Sequence, residues 1–417
     1  MTVLIAGGGI AGLTLALTCR QIGVDVRVFE SVRAPGPLGV GINLQPNAVR
    51  ELDELGLVDL LPAIGVETRE FGLYSTHGLE IWREPRGRAA GYRWPQYSVH
   101  RGELQMALWR ETLARLPEGC VVPGARAMGW EERPGGGVRL HLQTPNGPRV
   151  EEGDLLIGAD GLHSAIRASL HPTEGPPIWS GCVLWRAAVR ARPFRHASMA
   201  VIGSMDQRFV TYTISPEDPQ TGEALVNWIA ELRYDASGGW TREDWNREVA
   251  ADVFLPQFED WDFGWIDCPG FIRMADRVFE YPMVDRDPLP FWTQGPTTLI
   301  GDAAHIMWPV GSNGASQGIM DARKLGRAFL DHGATREALL AYEAEQRPAA
   351  ERMILAARAQ QGPDALLGVV QDRSGGRFDS VDDVVPTAEM AAWQDRWKGV
   401  AGLARETLNG APPVVPV

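Results

Sequence analysis

The chain has 417 residues, 44% hydrophobic and 22% charged, an ordinary globular composition with length enough for two sizeable cores, not a disordered or fibrous one. Lys and Arg number 40 against 53 Asp and Glu, and the resulting net charge of −13 repels phosphate backbones and anionic lipid, so no nucleic acid partner is expected. Four well-separated cysteines (Cys19, Cys120, Cys182, Cys268) form no C-x-x-C pair and predict buried free thiols in a reducing, cytoplasmic setting.

In chain order, Val3-Leu4-Ile5-Ala6 reads as a short buried strand, Gly7 to Gly12 as a turn, and Leu13 to Ile22 as a helix stopped by Gly23. The apolar N-terminus has no basic flank and is interrupted by glycines, which argues against a signal peptide. No run of 18 apolar residues predicts a membrane span. Val24, Val26 and Val28 alternate with polar residues into Glu30, a second strand, so the chain opens as βαβ. Pro46 starts a helix whose Val49, Leu52 and Leu55 share one face, with Gly56 ending it.

The middle of the chain is strand-like. Phe209 to Ile214 and Leu225 to Ile229 are two such runs, and the segments 70–94 and 176–281 also hold much of the tryptophan (Trp82, Trp94, Trp179, Trp185, Trp228, Trp240, Trp245, Trp261, Trp265). Such a sheet suits either a packed core or a wall for a flat ligand. After Tyr281 the α/β character returns. Thr297 to Asp302 reads as a buried strand ending in an acid. Gly314 to Leu330 and Arg336 to Arg347 read as helices, and Pro348 predicts a kink or restart before Gln361. The tail 363–417, with Gly375-Gly376 and Pro412, Pro413 and Pro416, predicts loose attachment.

Three motifs carry the chemistry. Gly7-x-Gly9-x-x-Gly12 joins strand to helix, and Glu30 ends the next strand eighteen residues after Gly12. The glycines allow a tight turn and close approach of a pyrophosphate to the helix N-terminus, while the acid suits a ribose diol. Gly158-Ala159-Asp160-Gly161-x-x-Ser164-x-x-Arg167 follows a second strand; on its own it also reads as a plain Asp-Gly turn. Gly301-Asp302-Ala303-Ala304-His305 then leads into Pro309-x-Gly311-x-x-Gly314, a loop opening a long helix whose positive end favours negative charge. His305 reads as structural before catalytic, and no metal-ligand spacing is present.

In combination and order, these motifs resemble the class A FAD-dependent aromatic monooxygenase family with the p-hydroxybenzoate hydroxylase fold. The resemblance runs from residue 1 to about 360. Within it, the segments Pro37 to Asn43, Tyr97 to Met106, Tyr281 to Pro290 and Asn313 to Gln317 look most like the 5-methylphenazine-1-carboxylate 1-monooxygenase branch. The implied fold is mixed α/β: a Rossmann-like FAD-binding domain (1–69, 95–175 and 282–362), an inserted, mainly antiparallel β-sheet substrate domain (70–94 and 176–281), and C-terminal helices.

The resemblance also implies roles. Gly7, Gly9, Gly12 and Glu30 would hold the ADP half of FAD, Arg101 and Gln105 its phosphates or ribityl chain, and Asp302 the ribityl or pyrophosphate part. Asp160 lies in the motif associated with both FAD and NAD(P)H. Val40 and Gly41 would pass the flavin edge, with Gly311, Asn313, Gly314 and Ala315 beside the isoalloxazine and Pro309 facing the substrate. Trp185, Arg186, Tyr212 and Trp228 are candidates for the pocket wall, although no arginine–tyrosine clamp for a hydroxybenzoate is evident. No side chain is required as a covalent nucleophile.

The expected reaction is hydroxylation of a small aromatic or heteroaromatic substrate, using NADH or NADPH and O₂ through a flavin C4a-hydroperoxide. A phenazine-type or other ring carboxylate is a candidate, with decarboxylation as an accompanying outcome. The alternatives are an epoxidase, reductase or halogenase on the same fold, or an FAD-binding module without catalysis. Gly314-Ala315-Ser316-Gln317-Gly318 also matches a hydrolase nucleophile elbow, but no strand precedes it. A monomer or homodimer is expected.

Overall fold

The computed structural model describes residues 1–235 and 247–416, so Trp240 and Trp245 lie outside the described residues. The opening strand Thr2–Ala6 is buried from Val3 onward and pairs in parallel with Leu155–Gly158 on one side and Asp25–Glu30 on the other. Thr297–Leu299 extends this sheet beyond Leu155–Gly158, and Val121–Pro123 extends it beyond Asp25–Glu30. The three motif-bearing strands are thereby neighbours, with the Glu30 strand beside them. All five strands run the same way, so the motifs emerge together at the carboxyl ends, where open α/β sheets bind ligands.

Helices cover this sheet as the periodicity predicts. Ile10–Gln21 buries Leu13 to Cys19, and Gly23 follows it at φ +76. Pro46–Glu54 has Pro at its first turn and buries Val49 and Leu52. Gly314–His332 packs across Ile10–Gln21. Arg336–Arg358 is one helix with Pro348 inside it, where a kink or restart was expected. Tyr342, Gln346, Ala350, Met353 and Ile354 are buried on both sides of the proline. That tertiary packing outweighs the one helical hydrogen bond the proline cannot donate.

The aromatic-rich region forms an eight-stranded sheet in the order Arg247–Val249, Val278–Asp285, Ile178–Ala191, Ala224–Arg233, Gln207–Thr213, Ser198–Gly203, Glu70–Tyr74 and Glu80–Pro85. All its pairings are antiparallel except Ser198–Gly203 with Glu70–Tyr74. Alternation divides each strand between two faces. Val183, Trp185, Ala187, Phe209 and Trp228 point to a back core closed by Phe254, Phe258, Trp261 and Phe271. Cys182, Leu184, Val210, Tyr212 and Ile229 point to a front core.

The tail is not loosely attached. Its helices Ala365–Ser374 and Thr387–Val400 place Leu366, Leu367, Val370 and Met390 in the front core of the sheet. Arg208 reaches Asp364, and Lys398 pairs with Glu84 at 2.9 Å. Tyr92 donates to the Leu403 carbonyl at 2.5 Å, and Val415 is fully buried. Glycine and proline mark the turns between these helices, while the intervening apolar residues do the docking. The four cysteines are unpaired; three are buried and Cys120 is half-buried. Among the described residues, no helix is long and apolar enough to cross a membrane.

Candidate active site

The first motif folds as its glycines require. Gly7 has φ +112, and a Cβ there would lie 2.3 Å from the Ala159 carbonyl oxygen; one on Gly12 would lie 2.1 Å from the Gly7 oxygen. The helix behind begins without a side-chain cap and with no acid in its first turn, while a Cβ on Gly9 would meet nothing within 4 Å. Free N–H groups facing open space at a helix N-terminus fit a diphosphate.

Glu30 stands beside them, 8% exposed. Its Oε2 accepts from the Gly8 N–H at 2.8 Å, and its Oε1 accepts from the Val32 N–H at 2.7 Å and the Ser31 hydroxyl at 3.1 Å. The carboxylate is held in place, and Oε2 keeps capacity for a sugar hydroxyl. Gln105 donates to the Gly8 carbonyl at 2.9 Å, whereas Arg101 is exposed with its side chain beside Gly39.

The second motif lies against the first through Ala159. The Asp160 carboxylate accepts from the Ala165 and Ile166 N–H groups at 2.8 and 3.3 Å and from the Ser164 hydroxyl, so it caps the helix Ala165–Leu170. Burial, against these hydrogen bonds, raises its pKa.

In the third motif, Asp302 is exposed at the start of the short helix Asp302–His305, just after the strand. A Cβ on Gly301 would approach Ala11 at 3.0 Å, which draws this turn onto the first helix. His305, 3% exposed, is 2.5 Å from Asp321, and that carboxylate also accepts from the Gly301 N–H at 2.7 Å. This histidine is part of the turn's support. The loop Pro309–Asn313 then leads into the N-terminus of Gly314–His332, which has no side-chain cap and no first-turn acid. Pro309 is exposed, and a Cβ on Gly314 would meet nothing within 4 Å. Asn313 is 1% exposed, and its Oδ1 has no partner among the described residues. A buried orphan acceptor here suits an N–H donor such as a flavin ring offers.

Gly41 joins the two halves of the molecule. Its N–H donates to Asn227 Oδ1 at 2.8 Å, and its carbonyl accepts from Arg186 at 3.1 Å. A Cβ on Gly41 would lie 2.7 Å from the Tyr212 ring, and Val40 beside it is buried. Arg186 also acts electrostatically on the Tyr212 phenol and lies 5.8 Å from the centre of the Tyr281 ring. Its Nε is buried with no partner among the described residues. Burial, opposed by Arg186, pushes the Tyr212 phenol up to about 12, so it stays protonated at neutral pH.

The expected pocket wall therefore divides. Arg186 and Tyr212 share the front face, beside Gly41. Trp185 and Trp228 are 2% and 0% exposed on the back face, where Trp185 stacks on Phe254 at 4.6 Å between ring centres. Odd and even positions of one strand point oppositely, so Trp185 and Arg186 do not wall the same pocket. An arginine set between two tyrosines, absent from the sequence reading, is formed by strands far apart in the chain. Asn227 was also missed, although a polar residue between Val226 and Trp228 in an apolar strand marks a buried hydrogen bond. Ser316 is fully buried in the first turn of its helix and accepts from the Gln45 N–H at 2.9 Å, with no strand before it, so it is not a nucleophile elbow.

The family described as the FAD binding domain matches residues 1–357. The phenazine 1,6-dicarboxylic acid hydroxylase PhzS of Lysobacter antibioticus is 42% identical over 377 residues, covering 89% of this chain and 92% of that protein. A salicylate hydroxylase of Pseudomonas putida is 32% identical over 384 residues, covering 84% and 82%. Klebsiella pneumoniae HpxO, solved with FAD and uric acid, superposes with a TM-score of 0.72 at 22% identity, covering 99% and 97% of the two chains.

The chain belongs to the FAD binding domain family. It is an FAD-dependent monooxygenase of the aromatic-hydroxylase type.

Proposed function

We propose that this enzyme hydroxylates a fused or heteroaromatic ring carboxylate of the phenazine type, held between the front face of the large sheet and the flavin. The carrying observation is Arg186, whose buried Nε lacks a partner while Tyr212 and Tyr281 flank the same side chain. A guanidinium with spare donors beside aromatic rings matches a carboxylate on a flat ring. The 42% identical relative named for a phenazine dicarboxylate agrees with this reading.

Bound FAD supplies hydride acceptance from NADH or NADPH and the activation of O₂. The chain's own residues bind and orient. Gly7, Gly9 and Gly12 seat the diphosphate on the free N–H groups of the first helix, and Glu30 accepts from the ribose. Gln105 steadies the Gly8 peptide, and Asp302 offers a carboxylate to the ribityl hydroxyls. Asp160 acts one step back, by fixing the helix after its own turn. Gly311, Asn313, Gly314 and Ala315 line the ring, and the open N-terminus of Gly314–His332 stabilises negative charge there. Arg186 and Asn227 grip the Gly41 peptide from both sides, so the substrate face and the flavin edge keep one spacing. The neutral Tyr212 phenol shares this face with Arg186. The apolar front face keeps water from the reacting centre.

The test is ligand-stimulated oxidation of NADH and NADPH with matched H₂O₂ detection, using phenazine-1-carboxylate, its carboxamide and unsubstituted phenazine. The carboxylate should stimulate most and leave little H₂O₂. In Arg186→Met, its KM should rise about tenfold to a hundredfold with a smaller change in kcat, the loss of one charge-assisted contact. Equal stimulation by the carboxamide, or an unchanged KM in Arg186→Met, would remove the carboxylate from the reading.

A further inference from the structure

The family match ends at residue 357, yet the loop Pro309–Asn313 is backed by residues beyond that point. Gly311 has φ +63 and Ser312 φ +55, two consecutive left-handed residues of which the second is not glycine. Such a turn needs surroundings that hold it. On one side, the Gly311 carbonyl accepts from Gln45 at 3.2 Å and from the Asn313 side chain at 3.1 Å. On the other side stands Trp397, from the helix Thr387–Val400. A Cβ on Gly311 would lie 2.4 Å from Trp397 Nε1 and 2.7 Å from its Cε2. The indole is 5% exposed and forms a small core with Ala356, Ala401, Leu403 and the loop's own Val310. Gly362 presses on Val310 from the same side, where a Cβ would lie 2.1 Å from Val310 Cγ1, and the Gly362 carbonyl accepts from Trp393 Nε1 at 3.0 Å.

We propose that Trp397 is a positioning residue for the flavin-side loop: the C-terminal segment braces Gly311 from behind, sets how far the loop stands from the flavin ring, and closes that side to water. The proposal rests on the reading that Gly311 to Ala315 line the ring. Only glycine leaves room for the indole at this contact, and the indole is rigid enough to fix the loop. Among neighbouring tail contacts, Lys398 with Glu84 anchors the brace to the large sheet, and Tyr92 with the Leu403 carbonyl ties it to the segment that follows that sheet's last strand. The brace therefore joins the sheet to the flavin loop independently of the Gly41 crossing.

The test uses the full-length protein with Trp397→Phe, Trp397→Ala, Gly311→Ala and the last two combined. Two readouts need no turnover: the Kd of FAD for the apoprotein, and iodide quenching of bound-flavin fluorescence. The third is the share of NAD(P)H electrons recovered as H₂O₂. Trp397→Ala should weaken FAD about tenfold, make the flavin more quenchable and raise the H₂O₂ share, while Trp397→Phe stays within about threefold of wild type. Gly311→Ala should show the same pattern. The double variant should lose less than the product of the two single losses, since removing the indole relieves the clash. A folded Trp397→Ala whose FAD Kd and quenching stay within about twofold of wild type, with only its Tm lowered, would overturn the proposal. If Trp397→Ala does not fold, an unchanged Kd and quenching in Gly311→Ala overturns it. A wild-type enzyme that binds FAD but ignores every ring carboxylate would defeat the substrate reading alone, because neither flavin readout uses substrate.

Discussion

His305 and Arg186 are both basic side chains inside the molecule, and their neighbours set them to different tasks. Arg186 keeps an unused donor and meets aromatic rings, which suits an incoming anion. His305 is committed. Burial alone would lower its pKa, but the Asp321 carboxylate at 2.5 Å outweighs that and raises it. A folded-state pKa above the unfolded value gives stability that is full below about 6.5 and is lost as pH rises through the folded value. The Tm difference between wild type and His305→Gln should accordingly be widest near pH 6 and narrow toward about pH 9. A difference that stays flat across this range would mean that the imidazole is not charged in the fold.

Among the elements, the short helix Ala165–Leu170 shows how a motif residue can serve by structure. Asp160 and Ser164 together satisfy the N–H groups of its first turn. Removing such a cap costs about 1–2 kcal/mol. Asp160→Ala should lower stability by that amount in urea denaturation and weaken FAD only modestly, whereas Glu30→Ala should weaken FAD strongly. If Asp160→Ala abolishes FAD binding at unchanged stability, the carboxylate touches the cofactor directly. The large sheet carries a related lesson. Trp185 and Arg186 read together as pocket wall, but Phe254 and Phe258 close the Trp185 face as core, and the Arg186 face meets the Gly41 carbonyl.

Across the whole molecule, a buried ion cluster ties the tail to the FAD-binding part. Glu51 and Arg323 are both 0% exposed and pair at 3.1 Å, while Arg50 pairs with Glu51 at 2.8 Å. Arg323 continues to Gln21 at 2.7 Å, and Glu51 accepts from the Val414 N–H at 3.3 Å. Burial lowers the Arg323 pKa, with Glu51 opposing it. Glu51→Ala would leave two guanidinium groups without their carboxylate and should cost about 3–5 kcal/mol in urea denaturation. The tail beyond Leu408 should then be cut sooner by protease. An unchanged cutting pattern would show that Glu51 does not hold the tail.

Sequence alone determined the βαβ opening, the three motifs and the family, because their requirements are local. Gly7, Gly9 and Gly12 answer to a turn a few residues long, and Glu30 ends the very next strand. It also showed the strand-like runs of the aromatic-rich sheet. Proximity across the fold was decided only in three dimensions. Trp185 and Arg186 are adjacent in sequence, yet side-chain alternation and the partners on each face put one in the core and the other against Gly41. Pro348 looked like a kink or restart, but buried neighbours on both sides carry one helix through it. The tail looked loose because its glycines and prolines are conspicuous. Leu366, Leu367, Val370 and Met390 reveal their role only against strands far earlier in the chain, and Trp397 only against the loop Pro309–Asn313. Burial gains free energy from contacts without regard to sequence distance, and no local pattern announces which surfaces will meet.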